Sequence, residues 1–233
     1  MKHVYIHIPF CKNICSYCDF CKMYHLPKFT ENYFEALKKE VEDSYMDELI
    51  STIYIGGGTP SCLTNEELDK IFNIVSIFKK STDCEFTFEC NPEDITEELI
   101  TYLIKNGINR LSIGVESFNK ENLEIIERKK DYKDLEEKLN MIRTKGINNI
   151  NLDLIYALPN ESLDTLKKDV KKLLKLNPEH ISTYSLIIEE DTKLKLNNTS
   201  YIDEELDAKM YDYICSKLKK HYTHYEVSNF AKE

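Results

Sequence analysis

The chain has nothing that would carry it into a membrane. No run approaches the ~20 consecutive apolar residues that a spanning helix needs. The start, Met1-Lys2-His3-Val4-Tyr5-Ile6, reaches Pro9-Phe10-Cys11 without a signal-peptide hydrophobic region. No transmembrane segment and a cytoplasmic location are therefore expected. Positive charge is also in deficit: 31 Lys and Arg against 41 Asp and Glu leave a net charge of −10. A groove tracking phosphates would work against that field, so no nucleic-acid partner is expected. No Pro-, Gly- or Ser-rich linker divides the sequence, and residues 1–233 read as one domain. Neither a Gly-Lys-Ser/Thr phosphate loop nor a G-x-G-x-x-G turn is present, which argues against a nucleotide triphosphate and a dinucleotide fold.

What remains is a folding composition, 42% hydrophobic and 31% charged over 233 residues, enough to bury a core and too apolar for disorder. Strand-like runs recur at 3–8, 52–55, 85–90, 110–115, 149–155, 180–187 and 221–227. Segments of helical periodicity alternate with them, carried by Phe34, Leu37 and Val41, by Leu68, Ile71, Phe72 and Val75, and by Leu99, Leu103 and Ile104. Leu135, Leu139 and Ile142 continue the series, then Leu163, Leu166, Val170, Leu173 and Leu174, and finally Leu206, Met210, Tyr213 and Ile214. Thr64 and Thr96 stand as capping hydroxyls ahead of early carboxylates, and Gly107 and Gly146 stand as helix stops. This β-α order predicts a parallel sheet flanked by helices, closed towards a barrel or doubly wound.

In such folds the functional groups sit beyond the carboxyl ends of the strands. The unusual residues fall there. Cysteines follow the first strand, Gly56-Gly57-Gly58-Thr59-Pro60 follows the second, Glu89 and Asn91-Pro92 end the third, Glu116 ends the fourth and Asp153 lies late in the fifth.

Eight cysteines in a reducing compartment are not expected to form four disulfides. Cys11, Cys15 and Cys18 have the spacing C-x3-C-x2-C, which can wrap three thiolates around one [4Fe-4S] cube and leave its fourth iron open. Cys21 keeps two alternatives alive, a closed electron-transfer cluster and a four-thiolate zinc site. Cys62, Cys84, Cys90 and Cys215 lack ligand spacing and read as small buried residues. The glycine run reads either as a tight turn or as the wall of a ligand site. Tyr5 alternates with inward apolar residues and reads equally as core. Arg128, within Glu127-Arg128-Lys129-Lys130, reads equally as a solvated charge. Glu89 and Asp153, flanked by apolar strand residues, each call for a buried partner.

Cys11-x3-Cys15-x-Tyr17-Cys18 followed by Gly56-Gly57-Gly58-Thr59-Pro60 resembles the radical S-adenosylmethionine (SAM) enzymes. The segments at 5–11, 89–92, 114–118, 153–159 and 225–230 together resemble the oxygen-independent coproporphyrinogen III oxidase family and its haem-chaperone branch. The resemblance implies an α/β fold, a partial (β/α)6 TIM-like barrel of the radical SAM type. It implies a [4Fe-4S] cluster on Cys11, Cys15 and Cys18, with SAM as second cofactor. Gly57, Gly58 and Thr59 would meet the amino end of SAM, with Tyr5 and Tyr17 lining the same pocket. Glu89 and Glu116 would face its polar groups, Arg128 its carboxylate, Asp153 its ribose and Ile187 its adenosine.

The implied reaction is one-electron cleavage of SAM to a 5′-deoxyadenosyl radical. In the oxidase it decarboxylates porphyrinogen propionates; in the chaperone branch the same architecture binds haem and delivers it. A start at the first strand, and Asp19-Phe20 after Cys18, favour the chaperone. Glu116 stands where glutamine is usual, and Ala157 where glycine is common. The family's carboxyl-terminal substrate-covering domain is expected to be absent. The implied partners are haem or a porphyrinogen, and a small acidic electron donor of the flavodoxin or ferredoxin type docking near Lys12, Lys22 and Lys28. The remaining reading is a non-catalytic iron-sulfur or zinc module.

Overall fold

The computed structural model describes residues 2–128 and 132–232. Six strands run parallel in the order β1 (Lys2–Ile8), β4 (Leu49–Gly57), β5 (Lys79–Cys90), β6 (Arg110–Glu116), β7 (Asn149–Tyr156) and β8 (His180–Ser185). Helices α1 (Pro27–Ser44), α2 (Asn65–Val75), α3 (Glu97–Lys105), α5 (Leu135–Thr144) and α6 (Leu163–Leu176) fall between them where the 3.6-residue periodicity places them, and α8 (Glu204–Leu218) follows β8. The sheet is an open (β/α)6 arrangement, because β1 does not pair with the last strand.

The far end departs from the all-parallel expectation. The run at 221–227 forms only β9 (Thr223–Glu226), which turns back into β10 (Asn229–Ala231), and β10 pairs antiparallel with both β8 and β9. A hairpin this tight has no room for a crossover helix and can only be antiparallel. Four elements gave no periodic signal because they are so short: the two-residue strands β2 (Phe10–Cys11) and β3 (Met23–Tyr24), and the helices α4 (Lys120–Ile125) and α7 (Lys193–Leu196).

Strand alternation divides the protein into an outer core and an inner cleft. In β6, Leu111, Ile113 and Val115 are fully buried, as are Ile150, Leu152 and Leu154 in β7, facing helices whose apolar stripes include Leu103, Leu139, Val170 and Leu173. The intervening positions point the other way. Helix ends follow local chemistry: Thr64 and Glu67 form a reciprocal capping box at α2, Thr96 caps α3, and Gly107 and Gly146 take φ of +90° and +113° after α3 and α5.

Two local devices hold the strand ends. At the end of β4, Gly58 N donates to Ile8 O at 2.7 Å and Thr59 N to Phe10 O at 2.8 Å. A methyl group on Gly58 would lie 2.8 Å from Phe10 O, 2.9 Å from Ile8 O and 2.9 Å from Cys11 Sγ. Beyond β6 and β7, Asp169 accepts from Ser117 Oγ and Phe118 N, while Asn122 Nδ2 donates to Glu161 Oε1 at 3.1 Å. Leu158 N donates to the other Glu161 oxygen at 3.2 Å, so this network fastens the loops after two neighbouring strands. Ala157 lies in one of them at φ +60°, a conformation that costs an alanine about 1 kcal/mol relative to glycine.

Gly58→Ala should lower stability by about 1–3 kcal/mol, read as a fall in urea midpoint; an unchanged midpoint would show that the seam relaxes freely. Burial pushes the Glu161 carboxyl up to about 7, above its unfolded value, so the folded chain holds a proton that the unfolded chain releases. That contribution to stability is present at low pH and is lost as pH rises towards 7. Glu161→Gln should therefore gain stability relative to wild type, on the order of 2 kcal/mol, between pH 5 and pH 8. A pH-independent difference between the two urea midpoints would refute it.

Candidate functional site

The inner face encloses a cleft of about 660 Å³. Its walls come from alternate strand positions: Arg110, Ser112, Gly114 and Glu116 of β6, Asn151, Asp153 and Ile155 of β7, and His180, Ser182 and Tyr184 of β8. The register aligns them in rows, with Glu89 beside Ser112, Ser112 beside Asn151, and Asn151 beside His180. Gly114, Asp153 and Ser182 form the next row. Cys11, Cys15, Cys18, Tyr17, Gly57, Gly58, Thr59, Glu89, Arg128 and Ile187 also line it, so twelve of the thirteen residues expected from the sequence meet in one space. Tyr5 is the exception. It is 57% exposed and tilts against Tyr54 with ring centres 5.9 Å apart, so it reaches the site through Tyr54 and belongs neither to the core nor to the cleft wall.

The three thiols are free. Burial raises each, countered at Cys11 by the Thr59 hydroxyl, which lies 3.4 Å from the sulfur, and at Cys15 by Arg128. Cys21 is exposed and does not line the cleft; its carbonyl instead accepts from His7 Nε2 at 2.7 Å, which fastens the cysteine loop to β1. His7 thus has a structural role. Among the described residues no three His, Cys, Asp or Glu side chains converge on one ion position. Four thiolates at ~2.3 Å from a single zinc would have to crowd together; three separated thiols around one cleft suit a larger group such as a cluster. Of the other cysteines, Cys62, Cys84 and Cys90 are buried as expected, whereas Cys215 is only half-buried.

The carboxylates each have the buried partner that their setting demands. Glu89 accepts from Tyr54 OH at 2.6 Å and from Gly57 N at 2.9 Å. Burial raises it, and these two donors oppose that rise. Asp153 accepts from Asn151 Nδ2 at 2.8 Å and from Ser112 Oγ at 3.4 Å; burial raises it too, against the pull of Asn151 and Ser182. Glu116 has φ +65°, at a register shift in β6. That turn aims its carboxylate at Arg128 Nη2, 3.1 Å away. Gly114 leaves room for the pair, since a methyl group there would sit 2.8 Å from Glu116 Oε1.

Arg128 is not a solvated charge, its side chain being only 10% exposed; Lys129 and Lys130 of the same run lie outside the described residues. Its Nη1 donates to Asn91 Oδ1 at 2.7 Å, and its Nε is buried with no partner among the described residues. Tyr17 stands against the same pair, and burial followed by the Glu116 charge pushes its hydroxyl well up. Of the lysines expected to form a docking patch, Lys12 pairs with Asp94 at 3.0 Å, Lys28 lies over the Phe29 ring, and Lys22 lines the cleft.

A polar chain runs across the lower part of the cleft and was not anticipated. Tyr225 OH donates to His180 Nε2 at 2.7 Å, the His180 Nδ1 proton goes to Asn151 Oδ1 at 2.6 Å, and Asn151 Nδ2 reaches Asp153. Burial and nearby Arg110 push the His180 ring down to about 4, which keeps it neutral. The available signal was period-two polarity within apolar strands: Arg110, Ser112 and Gly114, then Asn151 and Asp153, then His180 and Ser182.

Comparison with known proteins agrees with this geometry. The heme chaperone HemW of Bacillus subtilis is 39% identical over 242 residues, spanning 100% of this chain and 64% of that protein. The oxygen-independent coproporphyrinogen III oxidase of Salmonella typhimurium is 31% identical over 187 residues, spanning 78% of this chain and 41% of the enzyme. The chain thus spans less than two thirds of the length of these relatives. Among solved structures, coproporphyrinogen III oxidase (HemN) from Escherichia coli superposes with a TM-score of 0.90 at 25% identity, over 98% of this chain and 55% of that one. Residues 5–173 match the Radical SAM superfamily, and on that match, with three free thiols facing the glycine turn across one cleft, the chain belongs to the radical SAM superfamily.

Proposed function

We propose that this chain is the SAM-binding core of a cytoplasmic haem chaperone, a protein that binds haem and passes it to target proteins. The observation that supports this reading best is the 39% identity to HemW along the whole chain, joined to a cleft with thiols on one side and matched polar groups on the other. Cys11, Cys15 and Cys18 would hold a [4Fe-4S] cluster, and Gly57, Gly58 and Thr59 would present backbone to the amino end of SAM. The buried, unpartnered Arg128 Nε offers a charge-assisted donor to the ligand's carboxylate. Asp153, pre-oriented by Asn151, has lone pairs left for ribose hydroxyls. Ile187, 63% exposed at the cleft, gives the adenine an apolar surface. A cluster held by these three thiolates would supply one-electron chemistry to the SAM sulfonium. Lys22, beside Cys11 and Cys18, is the best placed lysine to guide a small acidic electron donor of the flavodoxin or ferredoxin type to the cysteine loop. Among the described residues no helix is long and apolar enough to cross a membrane, in keeping with the proposed location.

A second reading, coproporphyrinogen III oxidation, is favoured by the TM-score of 0.90 with the Escherichia coli enzyme. In that case SAM-derived radicals would abstract hydrogen from porphyrinogen propionates.

Anaerobic reconstitution tests the cofactor assignment. Wild type and Cys21→Ala should take up iron and sulfide in equal amount with broad visible absorption, and Cys15→Ala should not. Loss of the cluster in Cys21→Ala with retention in Cys15→Ala would overturn the three-thiol assignment. For the function, titration of the reconstituted chain with haem should give a saturable Soret band. Incubation with coproporphyrinogen III, SAM and a strong reductant should release no carbon dioxide. Release of carbon dioxide without a Soret band would replace the chaperone reading by the oxidase.

A further inference from the structure

The cleft wall holds an arginine that the SAM assignment leaves unused. Arg110, the first residue of β6, lines the same space as Asp153 and His180. Its Nη1 donates to Thr87 Oγ1 at 3.3 Å, and among the described residues it forms no ion pair. Asp153 feels its charge without touching it. The hydroxyl of Tyr225, on the hairpin strand β9, lies close by on His180, which as a neutral ring adds no charge of its own.

A guanidinium presents a planar fork of donors that matches one carboxylate in two parallel hydrogen bonds. A ligand dianion such as a phosphate is less suited, because Asp153 and Glu89 line the same cleft and repel a second negative charge more strongly than a single one. The same cleft also carries apolar surface. Phe20 lines the cleft and is 68% exposed, and Ile155 and Leu186 line it too. The cleft therefore offers an apolar body a surface and a short carboxylate arm an anchor.

We propose that Arg110 anchors a propionate-type carboxylate of the porphyrin carried by this protein. The subsite rests on the haem reading given above and adds to it the group by which the porphyrin is held. Arg110 acts by binding; no bond is made or broken there.

The test uses the anaerobically reconstituted chain with SAM bound, titrated with haem and, separately, with haem dimethyl ester, whose propionates carry no charge. Wild type should bind haem about tenfold more tightly than the ester, the scale of a charge-assisted hydrogen bond. Arg110→Gln should bring haem down to the affinity of the ester and leave the ester unchanged, and Arg110→Lys should restore part of the difference. Equal affinity of wild type for both ligands, or a variant that weakens both alike, would overturn the subsite. The absence of a Soret band with either ligand would instead remove the haem function itself, and the subsite with it.

Discussion

The site depends on one close approach of backbone to backbone. Where β4 ends, Gly58 and Thr59 hydrogen-bond to Ile8 and Phe10, so the strand that begins the sheet and the strand that neighbours it are sealed at their carboxyl ends. The seal brings Thr59 Oγ1 within 3.4 Å of the Cys11 sulfur and aims Gly57 N at Glu89, two strands from the cysteine loop. Only glycine permits this at 58, because any side chain would meet two carbonyl oxygens and a sulfur under 3.0 Å. The turn is thus more than a loop: it fixes the distance between the thiols and the first carboxylate.

The second constraint is charge balance in a buried space. Glu89, Glu116 and Asp153 line the cleft with Arg110 and Arg128. Burial alone would favour neutral carboxyls, and each is countered by a different means. Glu89 relies on neutral donors, Asp153 on an amide and a hydroxyl, and Glu116 on a full ion pair with Arg128. A buried pair of that kind gives little net stability but is costly to break, since either partner alone would be stranded. Arg128 is consequently held in place with Nη1 and Nη2 occupied and Nε open, a directional donor rather than a free charge.

Much of this was legible in the sequence because it follows from short-range rules. The β-α order, the capping threonines and the glycine stops gave the six parallel strands and their helices, and the clustering of odd residues at strand ends gave the rim. Other features depend on contacts between distant residues. Nothing local distinguishes Arg128 from its lysine neighbours; the turn at Glu116 and the gap at Gly114 select it. Tyr5 has the alternation of an inward residue, yet the open edge beside β1 leaves it exposed. The antiparallel end was missed because the run at 221–227 is strand-like in either direction, and a three-residue partner is too short to show periodicity.

That hairpin links the end of the sheet to the centre of the site. β9 carries Tyr225 to His180, His180 fixes the amide of Asn151, and Asn151 holds Asp153. Each member has one consistent role: the carbonyl of Asn151 can only accept, so His180 Nδ1 must donate and Nε2 must receive the tyrosine hydroxyl. The chain therefore has a single proton arrangement. It orients the carboxylate from below while leaving its remaining lone pairs to the cleft. Without the turn from β9 to β10 the tyrosine would not reach the barrel interior, and His180 would lose the partner that sets its tautomer. An element outside the parallel repeat thus orders a carboxylate in the wall of the cleft.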